Sequence, residues 1–290
     1  MRTNLIILTL LLTLNLETSG QRKERTVEEK LFDKGFEFYH DEELDSALLT
    51  FRQFKELYPD SRLIAKVEYN IGYIRKEQGK TDEAKSIFKG ILRSDFNEKD
   101  PGGGGIMGEQ YALYKHFSCE QLADIYIKEN NFKEGERYVR MFDKDYPYEH
   151  FCGNELTAYQ IRKARNYAKV YAGQGFVDKA INQLLPFTFY NGLADNDMLV
   201  KELTELLEKK YPADRIKKEV GVSLTTLKIK NSKSDAFGTI ELFSRTVKVY
   251  DEILFRIGNN DYAENIKLDE LTRYKKAILA NELFKKYSSD

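Results

Sequence analysis

Three pairs of residues recur at one fixed offset near the start of this chain. Gly35 and Gly72, Ala47 and Ala84, and Phe51 and Phe88 are each 37 positions apart. Three independent pairs at a single spacing mark an internal repeat, and periods of about 20–50 residues belong to stacked repeat architectures. With five Pro, no Trp and abundant Leu, Lys and Glu, the repeated unit reads as helical.

In the first unit Gly35, Phe38, Ala47, Phe51, Phe54 and Pro59 stand at the spacings of the tetratricopeptide repeat consensus, with Leu31 where that consensus often has Trp. The second unit starts near Ala65 and carries Ile71, Gly72, Gly79, Ala84, Phe88 and Ile91. It departs from the consensus at Arg75, where an aromatic is usual, and at Phe96, where Pro is usual. A third unit, near His116 to Tyr148, holds Leu122, Ala123, Tyr126, Phe142 and Pro147, with Gly135 and Val139 replacing Ala and Phe. A fourth, near Ile161 to Ala194, holds Ala168, Tyr171, Gly175, Ala180, Leu184 and Phe187 and lacks the closing Pro. Residues 28–194 therefore resemble the tetratricopeptide repeat family. The resemblance implies helical hairpins in which the small residues let helix A and helix B approach closely, Phe38, Phe51 and Phe54 fill the space around that contact, and Pro59 stops helix B. The expected fold is mainly α, a tetratricopeptide-like α-solenoid of helical hairpins with a small C-terminal α+β appendage.

The hairpins are expected in two blocks, 28–98 and 116–194, separated by a Gly-rich insertion loop over 99–115. Four consecutive Gly, Gly102 to Gly105, cost too much entropy to sit in a helix. Gly103, Gly105 and Gly108 fall in dinucleotide-motif spacing, but no strand precedes them. Gly79-Lys80-Thr81 imitates the end of a phosphate loop, yet Ile74 stands where that loop needs Gly. It reads better as the turn between helices A and B.

After residue 194 the repeat fades. Leu199, Leu203, Leu206 and Leu207 keep helical spacing and Pro212 restarts a shorter helix, so 195–222 reads as capping helices that cover the last apolar face. From Leu224 the period becomes two, with Leu227/Ile229, Ile240/Leu242 and Val247/Val249 alternating with polar residues. That predicts two or three short strands, a loop over 231–238, and one final helix from about Leu268 to Tyr287, within a small α+β region over 223–290.

At the other end, Arg2 supplies positive charge, Leu5 to Leu16 form an apolar run broken by Thr9, Thr13 and Asn15, and Thr18-Ser19-Gly20 precede a charged stretch. This order is that of a secretory signal peptide. We expect a signal over 1–20 and a linker over 21–27, with the mature protein exported, periplasmic or extracellular, and no stable membrane span after cleavage.

Composition narrows the function. Lys+Arg 46 against Asp+Glu 47 leaves a net charge of -1, so no global electrostatic footprint for nucleic acid exists. The apolar share of 41% lacks the several runs of about 20 residues that a polytopic membrane protein requires, while 19 Tyr and 18 Phe supply a core. His116 and Cys119 stand at the start of one expected helix, and His150 and Cys152 follow Pro147. Three readings stay open: a Cys119–Cys152 disulfide, which suits an exported chain and would add about 3–4 kcal/mol in the chain-entropy model; two buried thiols; and a Cys2His2 metal site, for which one single-residue spacer is unfamiliar. The chain has no G-x-S-x-G or H-E-x-x-H. No catalytic residue, metal or cofactor is therefore expected.

What the resemblance implies for function is a concave face built from helix A positions that turn away from helix B. Carried onto this chain, these are Phe36, Tyr39 and His40 in the first unit, and Tyr69, Tyr73 and Lys76 in the second. Asp124, Lys128, Arg162, Arg165 and Lys169 follow in the third and fourth. One half is aromatic and the other basic, suited to an apolar or aromatic segment beside an acidic one. The expected function is an exported, non-catalytic scaffold binding a protein or peptide partner. The alternative is an envelope glycan or peptidoglycan binder or hydrolase whose site lies in the C-terminal region.

Overall fold

The computed structural model describes residues 25–96, 113–149, 153–189, 194–231, 236–250 and 269–288. The expected signal peptide, most of the linker and of the Gly-rich loop, His150 and Cys152 lie outside them. Two compact units, Met1–Val67 and Glu68–Asp290, are described in turn.

In the first unit, α1 (Val27–His40) pairs with α2 (Leu44–Leu57). Thr26 starts α1 with a capping box: its hydroxyl accepts from the Glu29 amide (3.1 Å) while the Glu29 carboxylate accepts from the Thr26 amide (3.0 Å). Ala47, Phe51 and Phe54 are fully enclosed and Phe32 nearly so. A Cβ on Gly35 would lie 2.7 Å from the Phe51 ring, so only glycine lets the two helices sit this close.

The second unit repeats that construction. The helix α3 (Ile64–Glu77), most of which lies here, pairs with α4 (Thr81–Arg93), and a Cβ on Gly72 would meet the Phe88 ring at 2.8 Å. Then α5 (Tyr114–Lys128) pairs with α6 (Phe132–Arg140), which runs into a π turn over Met141–Asp145, and α7 (Gly153–Gly173) pairs with α8 (Val177–Leu184). The equivalent positions are Ala123 and Val139, and Ala168 and Leu184, all buried.

Each of these four hairpins turns in the same way. Glu42, Gly79, Asn130 and Gly175, the residues seven beyond the small helix A residue, have φ of 62°, 73°, 58° and 84°. The next amide in each case reaches back to close the helix: Glu43 to the Phe38 carbonyl (2.9 Å), Lys80 to Arg75 (2.9 Å), Asn131 to Tyr126 (2.8 Å) and Phe176 to Tyr171 (2.7 Å). This is the Schellman closure, in which one left-handed residue satisfies the orphan carbonyls and reverses the chain. The Gly79 turn expected from sequence is one of four.

The helices α9 (Asp197–Lys210) and α10 (Ala213–Thr225) follow. Three antiparallel strands come next, β1 (Lys228–Asn231), β2 (Ala236–Leu242) and β3 (Arg245–Tyr250), in the order β1-β2-β3. The register sets Ile240 opposite Val247 and Gly238 opposite Val249, so one face is apolar and buried. Residues 236–238, expected in a loop, already belong to β2. The final helix is corrected to two, α11 (Glu270–Leu279) and α12 (Glu282–Ser288). Asn281 separates them: its amide group donates to the Thr188 carbonyl (2.9 Å) and its side-chain oxygen accepts from the Leu283 amide (3.1 Å), so it starts a new helix instead of continuing the old one. The sheet, α11 and α12 share one apolar core with α7 to α10, through Ala168, Leu203, Val220, Ile240, Tyr274 and Phe284. The C-terminal region is thus packed into the stack rather than appended to it.

Candidate partner-binding face

Helices α3, α5, α7 and α9 open successive hairpins, and their residues from Glu68 onward carry most of the candidate site. On α3 the Tyr69 and Tyr73 rings lie 6.3 Å apart, and Tyr69 also meets Tyr114 (5.9 Å) and Phe117 (6.2 Å) on α5. Gln121 donates to the Tyr69 hydroxyl (3.2 Å) and accepts from Lys76 (2.6 Å). Lys76 also pairs with Asp124 (2.5 Å), which takes Lys128 from its own helix as well (3.0 Å).

The pattern continues to α7 and α9. Arg162 pairs with Glu120 of α5 (3.2 Å). Arg165 grips Glu202 of α9 through Nε and Nη2, both at 2.8 Å, and Lys169 reaches the same carboxylate at 3.4 Å. The structure brings Tyr69, Tyr73, Lys76, Asp124, Lys128, Arg162, Arg165 and Lys169 into one row across consecutive A helices. It also corrects the expected charge of that row. The basic half is interleaved with acids, because Glu120 and Glu202 stand among the bases and every base named has a carboxylate. Sequence reasoning missed Glu120, Gln121 and Glu202. The first had a signal, since Glu120 precedes Asp124 by four residues and shares its helix face; Glu202 lay in a segment read only as a cap.

Glu120 and Glu202 lie deeper than Arg162, Lys169 and Lys128, whereas in the Lys76–Asp124 pair the base is the deeper member, 18% against 37% exposed. The side chains of Glu120 and Glu202 are 13% and 19% exposed, against 41% for Arg162, 43% for Lys169 and 69% for Lys128. Burial pushes the Asp124 carboxyl up, but hydrogen bonds from Lys76 and Lys128 outweigh it and hold the group below its ordinary value. The hydrogen bonds that Arg165 donates to Glu202 raise its pKa further. Burial, with Glu77 and Asp124 nearby, raises the Tyr73 hydroxyl, so it is a neutral donor at physiological pH. The two-pronged Arg165–Glu202 contact is the strongest of these, being bidentate and shielded; exposed pairs such as Lys128–Asp124 contribute about 0–1 kcal/mol.

Phe36, Tyr39 and His40 form their own group on α1. Phe36 meets His40 edge-on at 4.8 Å, lies 6.3 Å from Tyr39, and is 40% exposed. They are a surface of the first unit.

The cysteine and histidine candidates give a partial outcome. Cys119 is fully buried on α5, and its pairing with Cys152 falls outside the described residues. His116 is enclosed by the rings of Phe117, Phe142, Tyr148 and Tyr159 at 5.2–5.6 Å, and its Nδ1 lies 2.7 Å from the Tyr146 carbonyl. Among the described residues no three of His, Cys, Asp and Glu are placed to hold a metal, and no helix is long and apolar enough to cross a membrane.

Residues 66–95 match the family model of the tetratricopeptide repeat, and they coincide with the α3–α4 hairpin whose Gly72–Phe88 contact and left-handed turn are described above. That hairpin is similar to a tetratricopeptide repeat. The chain's other hairpins reproduce the construction, and the fold is that of tetratricopeptide-like helical hairpins with a small strand region near the C-terminus. A crystal structure of a tetratricopeptide repeat protein from Parabacteroides merdae is 18% identical, covering 68% of this chain and 79% of that chain with a TM-score of 0.31. No curated protein matches the sequence. Tetratricopeptide repeats form scaffolds that commonly mediate protein interactions.

Proposed function

We propose that this protein is an exported, non-catalytic scaffold that binds an extended segment of a protein or peptide partner along the A-helix face of residues 68–290. The observation that carries the reading is the single row of half-exposed rings and paired charges, Tyr69 to Lys169, presented by consecutive A helices. Binding there needs no covalent step. A partner gains by covering Tyr69 and Tyr73 and by accepting hydrogen bonds from Arg162, Lys128 and Lys169, whose side chains are more exposed than the acids they pair with. The scaffold is already ordered, so little conformational entropy is lost on its side. Export rests on the N-terminal order of charge, apolar run and small residues.

Selection of a displayed random-peptide library on the full-length protein tests the reading. Peptides so obtained are expected to lose affinity by about tenfold or more, about 1.4 kcal/mol, for the combined variant Tyr73→Ser, Arg162→Ala, Lys169→Ala with an unchanged circular dichroism spectrum. Equal affinity for variant and wild type would place binding elsewhere. Mass spectrometry of the protein from cell envelopes is expected to find an N-terminus at Gln21; an intact Met1 would refute export by this route.

A further inference from the structure

The face just described has a mechanical side. The second helix of each hairpin packs along the first helix of the next, α4 on α5, α6 on α7 and α8 on α9, whereas the A helices touch one another more sparsely. Polar contacts cross between each pair of neighbouring A helices, beside ring contacts such as Tyr69 with Tyr114 and His116 with Tyr159. Lys76–Asp124 joins α3 to α5, Arg162–Glu120 joins α5 to α7, and Arg165 and Lys169 with Glu202 join α7 to α9.

We infer that Glu120, Asp124 and Glu202 are positioning residues that clasp successive A helices together, so that ionic conditions set the spread of this face. Each hairpin can pivot on its closely packed B-to-A contact, and the ion pairs on the opposite side limit the pivot. Each junction has a member that salt can reach, Asp124 at 37%, Arg162 at 41% and Lys169 at 43% exposed, so screening weakens these pairs. Neutralising the acids leaves five bases, Lys76, Lys128, Arg162, Arg165 and Lys169, along one face with like charge, which favours opening. Tyr69 against Tyr114 and Phe117 holds the α3–α5 junction independently, and His116 against Tyr159 does so for α5–α7, so α7–α9 opens furthest. The consequence for binding rests on the partner reading above; the clasp itself does not.

Energy transfer between two dyes tests this. The dyes are attached at exposed positions Lys80 and Lys201 through a keto-bearing unnatural residue, which leaves both native cysteines untouched. Raising salt from about 10 mM to about 1 M shortens the screening length from about 30 Å to about 3 Å. The expected result is a fall in transfer for the wild type. For Glu120→Gln, Asp124→Asn, Glu202→Gln transfer should be low already at low salt and should rise, not fall, with salt as repulsion among the five bases is screened. Equal transfer for wild type and variant at low salt, both with full helical signal, overturns the inference. Should the triple variant lose helix, Glu202→Gln alone is read in the same way: it removes the two-pronged contact, and unchanged transfer counts against the clasp. A selected peptide that still needs Tyr73 and Arg162 while dye transfer never changes would leave the binding face standing and remove only the clasp.

Discussion

Glu42 is the one turn residue of its set without special tolerance for a left-handed backbone. At φ 62° it carries a strain of about 1–2 kcal/mol that glycine avoids, offset by the roughly 0.5–1 kcal/mol of extra chain entropy that glycine loses on folding. Glu42→Gly is therefore expected to raise stability by about 0.5 kcal/mol, and Gly79→Ala, at φ 73°, to lower it by about 1 kcal/mol. Urea unfolding midpoints measure both, and a loss on Glu42→Gly would show that its side chain matters more than its backbone. His116 makes a second residue-scale case. Burial lowers its pKa, against the pull of Glu120 and the Tyr146 carbonyl and with the help of Arg162. A histidine near pH 6.5 in the unfolded chain but lower in the folded one binds its proton more readily when unfolded. Stability is thus full above pH 6.5 and falls as pH drops below it, by up to about 1.4 kcal/mol per pH unit. Comparing midpoints at pH 7.5 and 5.5 for wild type and His116→Gln checks this; the variant should lose most of the difference.

At the scale of elements, repeats tolerate substitutions that keep the volume and polarity of the contact satisfied. Arg75 stands where the first hairpin has Phe38 and is buried to 7% exposure, yet it continues the helix because Nε reaches Glu83 (2.9 Å) and Nη1 donates to Gln78 (2.8 Å). A consensus reading marks it as a departure; the structure makes it a clasp between α3 and α4. Asn281 does the opposite and divides one apolar-periodic stretch into α11 and α12. Asn281→Ala removes both the Leu283 cap and the contact to Thr188, at an expected cost of about 1–2 kcal/mol, with faster amide exchange in α12. Unaltered exchange there would mean that packing of Leu283 and Phe284 alone sets the break. The periodicity of Leu271, Tyr274, Ile278 and Phe284 was legible as helix; the break was not, because it depends on a carbonyl 93 residues away.

At the scale of the molecule, the last repeat does not end in water. Leu203, Leu207, Ile216 and Val220 are enclosed together with Val247, Tyr274 and Phe284, as a solenoid's terminal apolar face demands. Deleting residues 228–290 would expose that face, and the truncated protein is expected to melt at least several degrees lower or to aggregate. An unchanged melting temperature would mean that the C-terminal region contributes nothing to α7–α10. Here the sequence had shown strands and helices of the right kind, but it did not reveal that they share a core with the fourth hairpin.

The sequence by itself determined the hairpins: glycine and alanine at fixed offsets, the aromatic sixteen residues after Gly35 and Gly72, and a turn position seven residues on are short-range requirements of two helices in contact, and they repeat in register. Only tertiary structure decided the charge of the candidate face. Glu120 and Glu202 each meet a base from a neighbouring A helix, and which side chains meet across that gap follows from how the hairpins rotate against each other. No local spacing within one repeat encodes that rotation.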